Sequence, residues 1–168
     1  MPDRFVPASE RTRRDRLDRA AVLPTILFVD ADPDYRAMAR DAIVEGRSPS
    51  VLRFANDGQG LLDYLHRRGS FMDPIKSPRP ALIILDLKLP KVSGLDAVRA
   101  IKSNPDLRLI PVVALTDEID PASVSGAYDA GVNTYLVKPV TFLALVKLMK
   151  VFTAYWLDTA LLPTEDAA

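Results

Sequence analysis

The stretch TILFVDADP, residues 25–33, decides how the chain is read. Thr25 to Val29 form a short apolar run of β-forming residues, and the run stops at Asp30. Asp32 and Pro33 follow at once, as helix N-cap and first helical position. A buried strand handing over to a helix in so few residues is one βα unit. The spacing predicts that this helix runs to about Val44.

The same pattern recurs along the chain. SVLRFA (50–55) reads as a second strand, and Asp57 caps a helix through DGQGLLDYLHRR. A Pro-rich loop, MDPIKSPRP, leads to ALIILD (81–86), the most apolar strand. KLPKVSG is a loop and LDAVRAIKS a helix. PVVALT (111–116) is the fourth strand, and Asp120-Pro121 opens a short helix to Gly131. TYLVK (134–138) is the fifth strand, and a long helix is expected from Thr141 to about Leu161. Five strands thus alternate with five helices. Strands that are continuously apolar are covered on both faces, so the expected class is α/β with a doubly wound parallel sheet.

Composition narrows the function. Lys+Arg and Asp+Glu both number 22 in 168 residues, so no broad field favours nucleic acid or anionic lipid. The chain has no cysteine, which removes thiolate metal sites and Cys nucleophiles. No apolar run approaches the roughly 20 residues of a membrane span. The N-terminus is polar rather than a signal peptide, and a cytoplasmic location is expected. Residues 1–23, with SERTRRDRLDR, read as a polar, solvated tail or frayed helix, with a partner-binding arm as the alternative. Residues 24–150 form the folded domain and 151–168 an extension of the last helix.

Polar residues close four of the strands: Asp30, Asp86, Thr116 and Lys138. In an open parallel sheet, ligands bind outside the carboxyl ends of the strands, so these four converge on one rim. Two neighbouring carboxylates repel unless a cation intervenes. Mg²⁺ suits them, since it takes oxygen ligands and keeps several waters. A lysine adds fixed positive charge and a threonine a hydroxyl donor. Together they suit transfer of a phosphoryl group onto an aspartate.

The stretches ILFVDADP, LIILDLKLPKVSGLDAVRAIK, IPVVALTD and AGVNTYLVKPV, in this order and spacing, resemble the receiver domains of two-component response regulators. FTAYWLDTALLP and the insertion before the third strand are most similar to phytochrome-associated single-domain regulators. The resemblance implies a flavodoxin-like (βα)5 receiver fold with strand order 2-1-3-4-5. It implies Asp86 as phosphoacceptor, with Lys138 and Thr116 contacting the phosphoryl group. Thr116 and Tyr135 would form the switch. Asp30, Asp86 and the backbone carbonyl of Lys88 would hold Mg²⁺, and the Lys138-Pro139 bond would be cis. The implied partner is a histidine kinase, with a bacteriophytochrome as candidate, in a phosphorelay that signals through protein contacts. No output domain is expected, because only PTEDAA follows Leu162.

Two departures bear on the chemistry. The family's first strand ends in two adjacent acids, whereas this chain has Asp30 and Ala31. Asp32 reads as the helix cap, so a weakened Mg²⁺ site with slow phosphorylation is expected. Asp117 follows Thr116 where the family has a small residue, and it adds negative charge at the mouth. Lys88 is expected to offset it by pairing with Glu118 or with the phosphoryl group.

On the last helix, Phe142, Leu145, Met149, Phe152 and Trp156 follow core spacing, and Leu148, Val151 and Tyr155 form a second stripe. The second stripe, with Leu157, Leu161 and Leu162, suggests a homodimer. The candidate interface residues are Leu148, Val151, Tyr155, Trp156 and Leu161. His66, the only histidine, reads as a surface residue. Three other functions compete. A pseudo-receiver would bind partners without phosphate, as Ala31 and Asp117 suggest. A phosphatase of the haloacid-dehalogenase type would use Asp30 as nucleophile and Asp32 as acid, but leaves Asp86 unexplained. A flavodoxin-like cofactor binder fits poorly, since an acidic first loop repels phosphate.

Overall fold

A computed structural model describes residues 23–163. The Arg-rich segment before Leu23 and the last five residues lie outside the described residues. Strand β1 (Thr25–Val29) leads to α1 (Pro33–Glu45), then β2 (Val51–Ala55) and α2 (Gly58–Leu65). After the Pro-rich loop come β3 (Leu82–Leu85), α3 (Gly94–Ser103), β4 (Val112–Thr116) and α4 (Pro121–Ala130). Strand β5 (Thr134–Val137) and α5 (Phe142–Thr153) complete the order. All pairings are parallel, in the order β2-β1-β3-β4-β5. This is the expected doubly wound receiver topology.

Side-chain alternation splits the core into two layers. Leu27, Val29, Ile83 and Leu85 face α2, α3 and α4, where they meet Leu61, Val98 and Ile101. Ile26, Phe28, Leu82 and Ile84 face α1 and α5, where they meet Ile43, Leu145 and Met149. A strand covered on both faces has no polar alternation to display, hence the unbroken apolar runs. The helix starts follow their caps. Asp32 Oδ1 accepts from Asp34 N at 2.9 Å and Tyr35 N at 3.3 Å. Asp57 accepts from Gly60 N, Asp120 from Ser123 N and Thr141 from Ala144 N. At Gly58 a Cβ would stand 2.0 Å from the Val92 carbonyl oxygen, so glycine lets the β3–α3 loop press onto the start of α2.

The last helix departs from expectation in two ways. It ends as an α-helix at Thr153 and continues as a π-helical turn over Ala154–Thr159. The Thr153 hydroxyl donates to the Met149 carbonyl at 2.8 Å, a back-bond that loosens the α ladder. The turn then closes through Ala160 N donating to the Tyr155 carbonyl, an i to i−5 bond. Its facing also differs. Phe142, expected in the core, is exposed at the first position of α5. Leu157, expected at a subunit surface, is buried in its own core. Leu148 and Trp156 are half-buried and pack on that same core. Val151, Tyr155 and Leu161 are exposed.

Candidate functional site

Main-chain bonds bring the strand ends into line. Asp86 N donates to the Val29 carbonyl at 2.9 Å, and Lys138 N donates to the Thr116 carbonyl at 2.8 Å. The side chains of Asp30, Asp86, Thr116 and Lys138 therefore leave neighbouring strands at one level of one edge. The Lys138 ammonium lies 2.7 Å from Asp86 Oδ2 and 2.7 Å from Asp30 Oδ2. Its contact with Asp86 is a directed hydrogen bond. Its contact with Asp30 is an ion pair without good hydrogen-bond alignment, which leaves Asp30 Oδ2 without a directed donor. The remaining carboxylate oxygens take main-chain donors: Asp32 N on Asp30 Oδ1 at 2.9 Å, and Lys88 N on Asp86 Oδ1 at 3.1 Å.

Two carboxylates share one ammonium, so the pocket keeps an excess negative charge. Burial pushes the Asp30 carboxyl up, the charge on Asp86 adds to this, and the Lys138 and Asp32 contacts only partly offset it. Burial acts to lower Lys138, but the two carboxylates outweigh it and hold the ammonium above its ordinary value. The lysine therefore stays charged across the physiological range. Thr116 is fully buried, and its hydroxyl has no hydrogen-bond partner. A buried, unpaired hydroxyl at the end of a strand is a donor waiting for an oxygen.

The Lys138-Pro139 bond is trans, contrary to the expected cis geometry. Trans is the cheaper isomer of an X-Pro bond, and with it Lys138 already reaches both carboxylates. Ala31 is exposed and Asp32 is occupied as the α1 cap. Neither supplies a third acid. Among the described residues no cluster of three or more His, Cys, Asp or Glu is placed to hold a metal. The carboxylates of Asp30 and Asp86 remain a thin oxygen set, one that fits an ion such as Mg²⁺ that fills its octahedron with water.

The mouth is bridged by charge. Lys88 Nζ lies 2.8 Å from Asp117 Oδ1 and 3.8 Å from Glu118 Oε1. Asp117 is thus the nearer partner, where the sequence pointed to Glu118. The Lys88 contact holds the Asp117 carboxyl below its usual range. Tyr135 is half-buried, and its hydroxyl donates to the Glu118 carbonyl at 3.0 Å, tying β5 to the loop after Thr116. His66 is exposed at the end of α2, far along the chain from any of these groups.

Three contacts were not foreseen from the sequence. The Tyr35 ring lies under the Lys138 ammonium, 4.5 Å from centroid to Nζ. Arg36 donates to the Asp30 carbonyl at 2.5 Å. Lys91 reaches Asp57 at 2.6 Å and ties the β3–α3 loop to the α2 cap. Only the Arg36 contact is local, since the first turn of a helix after a strand stands over that strand's end.

The family model described as "Response regulator receiver domain" matches residues 26–150. Response regulator Rcp1 of Synechocystis sp. is 35% identical over 138 residues, covering 82% of this chain and 91% of that protein. The phosphorylated cyanobacterial phytochrome response regulator RcpA superposes with a TM-score of 0.78 at 31% identity, covering 85% of this chain and 100% of that one. The Mn(2+)-bound form of Rcp1 superposes with a TM-score of 0.76 at 33% identity, covering 84% and 99%. With the same strand order and the acidic rim at the strand ends, the chain belongs to the response regulator receiver domain family.

Proposed function

We propose that Asp86 accepts a phosphoryl group from a partner histidine kinase and that the chain signals through protein contacts. The observation that carries this is the Lys138 ammonium set 2.7 Å from both Asp86 and Asp30, beside a buried Thr116 hydroxyl with no partner. An Asp86 oxygen forms a bond to phosphorus as the donor's bond to phosphorus breaks. Lys138 then balances one phosphoryl oxygen and Thr116 donates to another. Asp30, Asp86 and the Lys88 carbonyl would hold Mg²⁺, which neutralises charge on the transferring group when bound.

Movement of Thr116 toward the phosphoryl group would pull the loop that carries Glu118, and the Tyr135–Glu118 bond would pass that shift to β5. With Ala31 in place of an acid, the Mg²⁺ site is weak and phosphorylation slow. A second reading, a receiver that binds partners without phosphate, draws on the same Ala31 and on Asp117 at the mouth. The kinship with phytochrome regulators favours a bacteriophytochrome as donor, and a cytoplasmic location follows from such a partner. Val151, Tyr155 and Leu161, exposed on α5 and beyond, favour a homodimer with residues 151–168 as its arm.

The test is label transfer from a histidine kinase with ATP at graded Mg²⁺. Wild type should take label slowly and saturate only at high Mg²⁺. Asp86→Asn should take none, and Ala31→Asp should saturate at about tenfold lower Mg²⁺, the worth of one charged ligand contact. Equal labelling of Asp86→Asn and wild type would end the proposal.

A further inference from the structure

Tyr35 stands in the first turn of α1, at a position the acceptor chemistry does not use. Its ring centroid lies 4.5 Å from the Lys138 ammonium. The ring also stacks on Phe28, at 6.5 Å between centroids, and packs on the core layer under α1. The phenol oxygen is buried and has no hydrogen-bond partner. The ring, then, is the part of the side chain in useful contact. Lys138 has Asp30 on one side, Asp86 on another and an aromatic face on a third.

We infer that Tyr35 is a positioning residue whose ring holds the Lys138 ammonium between Asp30 and Asp86, in competition with a divalent cation for the same two carboxylates. The inference rests on the acceptor reading above, because it assigns those carboxylates to the cation. A cation held against an aromatic face in a partly desolvated pocket is stabilised appreciably. That contact exists only while the ammonium stays in place. A cation entering between the carboxylates must displace the ammonium from at least one of them, and the ring opposes this. The effect adds to that of Ala31, which removes a ligand the cation would have gained.

Two measurements decide it, and each uses the full chain. The first is Mg²⁺ titration by NMR of wild type, Tyr35→Phe and Tyr35→Leu. Tyr35→Phe keeps the ring and should keep the wild-type midpoint. Tyr35→Leu should lower the midpoint about threefold to thirtyfold, the range of a cation–π contact. An unchanged midpoint in Tyr35→Leu, or a Phe variant that behaves like the Leu variant, would overturn the inference. The second needs no metal and no variant. The Lys138 Hε signals of the wild type should lie upfield of ordinary lysine positions because of the ring current. Ordinary positions would overturn the clamp even if Tyr35→Leu fails to fold. If Mg²⁺ bound to no variant, the acceptor reading would fail, while the ring-current result would still decide the clamp.

Discussion

Replacing Lys138 by methionine keeps the length of the side chain and removes its charge. The wild-type ammonium sits 2.7 Å from each of two buried carboxylates. At an effective dielectric constant of about 20, one such contact carries roughly 6 kcal/mol of Coulomb attraction before desolvation is subtracted. Removing one partner of a buried ion pair costs about 3–5 kcal/mol. The lower end applies here, because Asp86 keeps the Lys88 N–H and the pocket opens at one edge. A loss of about 3 kcal/mol at pH 7 is therefore expected, a large part of a domain's total stability.

The pH dependence has a definite sign. Burial already raises the Asp30 carboxyl in the wild type, and without Lys138 it rises further. An acid raised in the folded state destabilises the fold while charged, and that cost disappears as pH falls through its folded value. The variant meets this relief at a higher pH than the wild type, so the gap should narrow as pH falls from 7 toward 5. Urea unfolding followed by Trp156, the only tryptophan, measures both. Adding Asp30→Asn to Lys138→Met should recover most of the loss at pH 7. A deficit that is the same at pH 7 and pH 5 would refute the shared-ammonium geometry.

Thr116→Val should leave stability unchanged or slightly raised, since the hydroxyl is buried without a partner, yet weaken beryllofluoride binding at Asp86 about tenfold; stability by urea unfolding and affinity by fluorine NMR check the two halves. Gly58→Ala should cost about 1–3 kcal/mol, because the new Cβ meets the Val92 carbonyl at 2.0 Å; a melting temperature equal to wild type would contradict the close approach. Val151→Glu with Tyr155→Glu changes two exposed residues and should turn the proposed homodimer into monomers by light scattering, whereas an unchanged dimer would place the interface elsewhere.

The strand ends were legible because each buried run stops at a polar residue, and the helix starts because Asp32-Pro33, Asp57 and Asp120-Pro121 advertise their caps. Both are local signals, and both put Asp30, Asp86, Thr116 and Lys138 on one rim. The facing of α5 was less legible. That helix carries apolar residues around most of its circumference, so spacing alone did not separate Leu157, which is buried, from Leu161, which is exposed. The π turn after Thr153 shifts the facing again. The Tyr35–Lys138 and Lys91–Asp57 contacts join residues far apart in sequence, and no local pattern encodes them. A cis Lys138-Pro139 bond is implied by the resemblance alone, and nothing in the residues themselves specifies the isomer.

The most direct measurement is to locate the phosphoryl group itself. The chain is incubated with a small-molecule phosphodonor and Mg²⁺, the acyl phosphate is trapped by borohydride reduction, and the modified peptide is sequenced by mass spectrometry. The expected result is modification at Asp86, lost in Asp86→Asn and strongly reduced in Lys138→Met. Modification at Asp30, or none at any Mg²⁺ concentration, would contradict the assignment of the pocket.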